Sequence, residues 1–178
     1  PSYKLRAAAS SGALYPTDLY VVSNAIEGLA PGAYYYDGPA HALALLERGD
    51  VAARVRAALP DVPELREAPV LLVFGSTFDR TAWKYTVRSY RYLGLDAGHV
   101  ALNVALAGNA LGLGCEPLPG FDDSKLGAAL ALDAAQEAPL LVFACGAGSS
   151  RGYPAIVPRH ASAALPVNAD EIELTRLS

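Results

Sequence analysis

The chain has 178 residues, a formal net charge of −4 and a pI near 5.3, a balance that argues against general nucleic-acid binding. Hydrophobic residues make up 52% and charged residues 18%, more apolar than one soluble monomeric domain needs, so a large buried contact with a second copy or another domain is expected. No apolar run reaches the roughly 18 residues of a membrane span, no basic-then-apolar leader opens the chain, and the lack of methionine with Pro1 at the start reads as a piece of a longer protein.

Residues 1–16 read as loop, with turn chemistry at Ser10-Ser11-Gly12 and a helix stop at Tyr15-Pro16. Residues 18–22 read as a strand, Pro31-Gly32 as a turn, and 33–36 and 42–46 as two further strands. Asp50 caps a helix reaching about Leu59, which Pro60 ends. The continuous apolar run 70–74 reads as a buried strand. Asp79 can cap a cationic helix. Residues 92–113 follow as a helix apolar nearly all round, which signals burial, ended by Gly112 and Gly114. On that helix Asp96, His99 and Asn103 form a polar stripe, and Gly94 and Gly98 a small-residue stripe where another helix can approach. Asp122, Asp123 and Ser124 are capping residues of a short helix to Leu132, and 139–145 is another buried strand. From Gly146 the chain turns rich in glycine, serine and proline, and from Arg151 it reads as an extended arm. Hairpins combined with intervening helices suit an α+β domain, a mixed sheet packed by helices.

Cys115 and Cys145, each in an apolar stretch, read as buried free thiols of a reducing cytoplasm. The three histidines, His41, His99 and His160, have no ligand-like spacing, so no metal site is expected. His99 reads as a core histidine with Asp96 one turn away to orient or neutralise it.

The run from Arg80 to Leu95 stands out in an acidic chain: it holds Arg80, Lys84, Arg88 and Arg91 and no carboxylate. On a continuous helix Lys84 and Arg88 share a face and repel. A solvated basic face is the usual meaning of such a run, yet Trp83, Tyr85, Tyr90 and Tyr92 are interleaved with it. Adjacent Lys84 and Tyr85 can move protons if their pKa values are depressed. Two further elements are anion-friendly. Arg6 precedes Ser10-Ser11-Gly12, and Gly146-Ala147-Gly148-Ser149-Ser150-Arg151 follows a buried strand; each offers a cation beside a flexible backbone turn that can hold phosphate. Taken alone, each also reads as a simple turn or connection.

Several motifs then fall in a characteristic order. They are Ser11-Gly12-Ala13-Leu14-Tyr15-Pro16, Gly28-Leu29-Ala30-Pro31-Gly32-Ala33-Tyr34-Tyr35-Tyr36-Asp37, Thr81-Ala82-Trp83-Lys84-Tyr85, Asp96-Ala97-Gly98-His99-Val100, Ala110-Leu111-Gly112-Leu113-Gly114 and Gly120-Phe121-Asp122-Asp123. Over roughly residues 4–148 the chain resembles the nitroreductase superfamily, and more narrowly the SagB-type dehydrogenases, or azoline oxidases. The resemblance implies a nitroreductase-like mixed β-sheet flanked by helices in an intertwined homodimer. It also implies noncovalent FMN at the dimer interface and oxidation of thiazolines or oxazolines to thiazoles or oxazoles in ribosomal or nonribosomal peptide natural products. Lys84-Tyr85 matches the family's Lys-Tyr catalytic signature, with Tyr85 expected to transfer the proton and Lys84 to activate it; the reverse assignment stays open.

By the same resemblance Arg6, Ser10 and Ser11, with Arg151, map to the FMN phosphate. Asn103 maps to the flavin or ribityl chain, and Leu118, Pro119 and Gly120 to backbone contacts with the flavin ring. Implied partners are an azoline-containing peptide or carrier-bound substrate and a cyclodehydratase or assembly-line protein, with no nucleic acid and no membrane. Ala9 stands where members of the family carry proline, and the N-terminal helices of full-length members are not in this sequence; the expectation is a single FMN-dependent domain over 1–178 without that N-terminal part. Two other functions fit the same residues: an NAD(P)H-dependent nitro or quinone reductase, and a non-catalytic docking partner of a biosynthetic complex.

Overall fold

Strands in the middle of a sheet bury both faces, so their side chains must feed two separate cores. The computed structural model describes residues 6–24, 26–62, 68–118 and 120–147. Among these the chain forms β1 (Thr17–Ser23), β2 (Gly32–Asp37), β3 (Ala42–Arg48), α1 (Val51–Arg56), β4 (Val70–Thr77), α2 (Asp79–Tyr85), α3 (Ser89–Ala110), β5 (Leu113–Pro117), α4 (Asp123–Ala129) and β6 (Glu137–Ala147). The six strands make one sheet in the order β3-β2-β1-β4-β6-β5.

Alternation along the central strands builds the layers. Val22, Leu71, Val73, Val142 and Ala144 face one side, where α1 and α4 bring Val51, Val55 and Leu126. Leu19, Leu72, Phe74, Phe143 and Cys145 face the other, where α3 brings Ala101 and Ala105. Phe74 and Phe143 meet edge to face at 5.3 Å between ring centroids. Cys115 and Cys145 are register partners on β5 and β6, buried and not disulfide-bonded, with Cys145 Sγ donating to Cys115 Sγ at 3.0 Å. Among the described residues no helix is long and apolar enough to cross a membrane.

The α+β class stands, with one correction: all pairings among the described strands are antiparallel, so the sheet is not mixed. β5 is absent from the sequence reading because Gly112 and Gly114 both look like helix terminators. Gly112, at φ +73°, does follow the end of α3, but Gly114 already pairs with Gly146 in the sheet. Nor does α3 start at Tyr92, and it is not buried all round. Its sheet face is the stripe Leu93, Asp96, Ala97, Ala101, Ala105 and Gly108, while Leu95 and Leu102 on its outer side are 59% and 45% exposed.

Asp50 and Asp122 cap as expected, accepting from the N–H groups of Ala53 and Lys125 at 3.0 Å each. Helices α1 and α4 stop at Arg56 and Ala129, short of Leu59 and Leu132. Asp79 does not cap. Phe78 holds the cap position with no side-chain bond, and Asp79 lies in the first turn, where a carboxylate still favours the helix dipole.

One buried carboxylate ties four elements together. Asp18 on β1 is 5% exposed and accepts from Tyr35 Oη on β2 at 2.9 Å, Thr77 Oγ1 on β4 at 3.0 Å and Arg80 Nη1 on α2 at 2.9 Å. Nearby, Tyr20 packs edge-on against Tyr35. Burial raises the Tyr20 hydroxyl above its ordinary pKa, with Glu137 and Asp18 adding to the shift; Tyr35 moves the same way, from burial and its bond to Asp18. The native state therefore holds these protons more tightly than the unfolded chain. Stability is full below the unfolded phenol value near 10 and falls as pH rises past it. Thermal midpoints measured from neutral to strongly alkaline pH will drop above about pH 10, and Tyr20→Phe will flatten that drop. An unchanged alkaline slope in Tyr20→Phe would refute the assignment.

Candidate active site

The loop before β1 runs between the two carboxylates that the sheet and the long helix bury. At its start, Asp96 of α3 is 3% exposed. It accepts from Ser10 Oγ at 2.7 Å, from Ser11 N–H at 2.9 and 3.0 Å and from Ser11 Oγ at 2.9 Å. At its end, Arg80 Nη1 donates to the Tyr15 carbonyl at 3.2 Å while it also holds Asp18. Ser10 Oγ closes the loop from inside by accepting the Tyr15 N–H at 2.9 Å. Between the anchors the backbone is left-handed at Gly12 (φ +65°), Ala13 (+56°) and Tyr15 (+47°), a conformation disfavoured for the two non-glycines and kept only where the surroundings impose it.

Lys84 and Tyr85 end α2 and converge on this loop. A Cβ placed on Gly12 would sit 2.6 Å from Tyr85 Oη and 2.7 Å from Lys84 Nζ, so both side-chain tips meet the bare glycine. Lys84 Nζ lies 5.3 Å from the centroid of the Tyr85 ring, and that ring packs on Tyr92 at 4.5 Å. A short 3-10 turn over Thr86–Arg88 follows, with Thr86 at φ +49°. This break separates Arg88 from Lys84, so the two do not share the continuous helix face that their spacing suggests. Lys84, Arg88 and Arg91 are exposed, and among the described residues none is held in an ion pair, unlike Arg80.

Beside the loop a solvent-open cleft of about 290 Å³ is lined by Ser10, Ser11, Tyr92, Leu95, Asp96 and His99, with Ala9 at its rim. His99 is thus an exposed cleft residue and no core histidine, and the polar partners of Asp96 are the two serines. Arg6 is exposed, its guanidinium 4.9 Å over the Tyr15 ring. Asn103 is exposed about one turn beyond His99 along α3 and does not line the cleft. Leu118 buries its side chain in the core and donates its N–H to the Val142 carbonyl at 2.9 Å, while Gly120 is exposed. Pro119 and Arg151 lie outside the described residues.

A phosphate-bearing planar group such as FMN needs an open cleft, cations and a backbone that lets it close in. Arg6, Lys84, the cleft and the side-chain-free Gly12 fit it; the protons of Ser10 and Ser11 are directed at Asp96. Sequence reasoning missed the role of Asp96, although a lone carboxylate in an alanine and leucine stripe is itself a sign that donors must reach it from elsewhere.

Comparison with known proteins shows the family to which this fold belongs. The sequence model of the Nitroreductase family matches residues 4–147. MJ1384 of Methanocaldococcus jannaschii, which carries a nitroreductase name, is 31% identical over 137 residues, 77% of this chain and 68% of that one. The trifolitoxin-processing protein TfxB of Rhizobium leguminosarum bv. trifolii is 31% identical over 143 residues, 78% of this chain but 38% of TfxB. Among solved structures, a nitroreductase-type protein from Anabaena variabilis superposes with a TM-score of 0.77 at 30% identity, covering 84% of this chain and 34% of that one. A chain of the E. coli microcin synthetase McbBCD complex, solved with truncated pro-MccB17 bound, superposes with a TM-score of 0.71 at 25% identity, covering 80% and 55%. The chain therefore spans about a third to two thirds of the length of these proteins.

The contact of Gly12 with the Lys84 and Tyr85 tips predicts a coupling. Gly12→Ala will destabilise the fold by about 1–2 kcal/mol, from its left-handed backbone and from the collision. Adding Tyr85→Phe will restore part of that loss, because the colliding hydroxyl is gone. Denaturant unfolding of the two single variants and the double variant checks it; strictly additive losses would show that Gly12 and Tyr85 do not meet.

Proposed function

We propose that this chain, a member of the nitroreductase family, is a flavin-dependent oxidoreductase that binds FMN and dehydrogenates thiazoline or oxazoline rings in a peptide or carrier-bound substrate. The observation that carries this reading is the convergence of Lys84 Nζ and Tyr85 Oη on Gly12, beside an open cleft. Aromatising an azoline removes one ring proton and one hydride. Bound FMN supplies the hydride acceptor, which is the part of the chemistry a protein side chain cannot provide. The proton is left to the chain: Tyr85 takes it from the ring carbon, and the Lys84 ammonium beside it stabilises the phenolate. Arg6 would hold the FMN phosphate, and Asn103, Leu118 and Gly120 would serve the flavin where a second copy completes the site.

The outer face of α3 supports a homodimer in this reading, because Leu95 and Leu102 are exposed next to Gly94 and Gly98, around which a neighbour finds open space. The kinship with TfxB and with a chain of the McbBCD complex supports a place beside a peptide-modifying partner. A general nitro or quinone reductase would need the same flavin site and no Lys-Tyr pair.

The deciding experiment is an anaerobic visible spectrum of the purified protein with a thiazoline-containing compound added. The expected result is a flavin band near ~450 nm that bleaches with the thiazoline alone, and a Tyr85→Phe variant that keeps the band but bleaches about 10²–10⁴-fold more slowly. A band that bleaches only with NADPH would move the assignment to the reductase. A colourless protein that takes up no added FMN would overturn both and leave a docking role.

A further inference from the structure

A carboxylate placed among Leu93, Ala97 and Ala101 loses its hydration and must be answered by donors, or its burial is strongly unfavourable. Among the described residues the donors to Asp96 come from two, Ser10 and Ser11. Each serine hydroxyl has one proton to give, and in both the proton points at Asp96. Ser10 Oγ meanwhile receives the Tyr15 N–H, and the Ser11 N–H is directed at Asp96 as well. A phosphate at these serines would meet acceptors facing it and a buried negative charge behind them. The next residue is Gly12, whose open face receives Lys84 Nζ and Tyr85 Oη.

We propose that Asp96 is a positioning residue: through Ser10 and Ser11 it fixes the loop that seats Lys84 and Tyr85, and the two serines are its anchors and not ligands of the flavin phosphate. The inference rests on the flavin reading above and assigns the phosphate to the chain's cations, Arg6 first.

Equilibrium titration with FMN and with riboflavin, which has the same ring and no phosphate, tests it in the full chain. Asp96→Asn and Ser11→Ala will weaken both flavins alike, by about tenfold for the loss of charge-assisted hydrogen bonds, so the ratio of the two affinities stays at the wild-type value. The double variant will be no weaker than Asp96→Asn alone. Arg6→Ala will change the ratio, weakening FMN and sparing riboflavin. At saturating FMN, Asp96→Asn will also lower kcat for the azoline. Val55→Ala, a comparably destabilising change in the opposite core, will not; this separates positioning from a merely structural role.

Loss of FMN affinity alone in Ser11→Ala, or losses that multiply in the double variant, would overturn the proposal and return the serines to the phosphate. Should Asp96→Asn fail to fold, Ser10→Ala and Ser11→Ala carry the same ratio test. Should the wild type bind neither flavin, the flavin reading fails by itself. The clamp is then decided by melting of the unliganded chain: non-additive losses for Ser11→Ala and Asp96→Asn uphold it, and additive losses refute it.

Discussion

Asp18 is the constraint around which the active face is assembled. A carboxylate that is 5% exposed is strongly unfavourable to bury without donors from several directions. Tyr35, Thr77 and Arg80 supply them from three different elements. Meeting that demand fixes the hairpin strand β2 against β1, sets the C-terminal end of β4, and pulls the first turn of α2 down onto the sheet edge. Because Arg80 also holds the Tyr15 carbonyl, the same charge decides where the preceding loop enters β1. Lys84, four residues along α2 from Arg80, is thereby carried to Gly12 of that loop.

The loop shows what this anchoring makes possible. Its ends are tied by opposite chemistries, a carboxylate receiving serine donors at Ser10-Ser11 and a guanidinium donating to a carbonyl at Tyr15. A segment so held can keep Ala13 and Tyr15 in left-handed conformations, which would relax in a free loop. The strain keeps the path short and turns the one residue without a side chain toward Lys84 and Tyr85. A cluster of cations in an acidic chain follows the same logic. Arg80 is consumed by Asp18, while Lys84, Arg88 and Arg91 remain exposed along the break between α2 and α3, available to an anion.

How much of this is legible in the sequence depends on whether the signal is local. Strands β1, β2, β3, β4 and β6 follow from apolar runs bounded by turns, and the caps at Asp50 and Asp122 from their own next turn. β5 is hidden because a short edge strand flanked by glycines is locally indistinguishable from a helix ending. Lys84-Tyr85 is legible as a motif, yet its meeting with Gly12 joins positions some seventy residues apart in sequence and belongs to the tertiary fold. Asp96 misleads for a related reason. Spacing along α3 pairs it with His99, and both do border the cleft, but Asp96 is buried and takes its donors from the two serines while His99 is exposed. Burial, which spacing alone does not settle, decides which neighbour a charge selects.

The fold by itself leaves the reaction open, since one scaffold serves many chemistries and the activity belongs to the site placed on it. A reductase that passes a hydride from a nicotinamide to an acceptor needs room to stack its substrates and no side chain of high proton affinity. An azoline oxidation needs a group able to take a proton from carbon, held where the ring will lie and close to a cation that stabilises its anionic, proton-accepting form. In the proposed reading the Lys84–Tyr85 pair, whose tips meet the bare Gly12, serves the second requirement and adds nothing to the first. Its fixed placement by Asp18 through Arg80, and by the loop that Asp96 grips, would be an idle expense of buried charge in an enzyme that only relays hydride. That asymmetry between what the two chemistries demand favours proton abstraction as the task of this face.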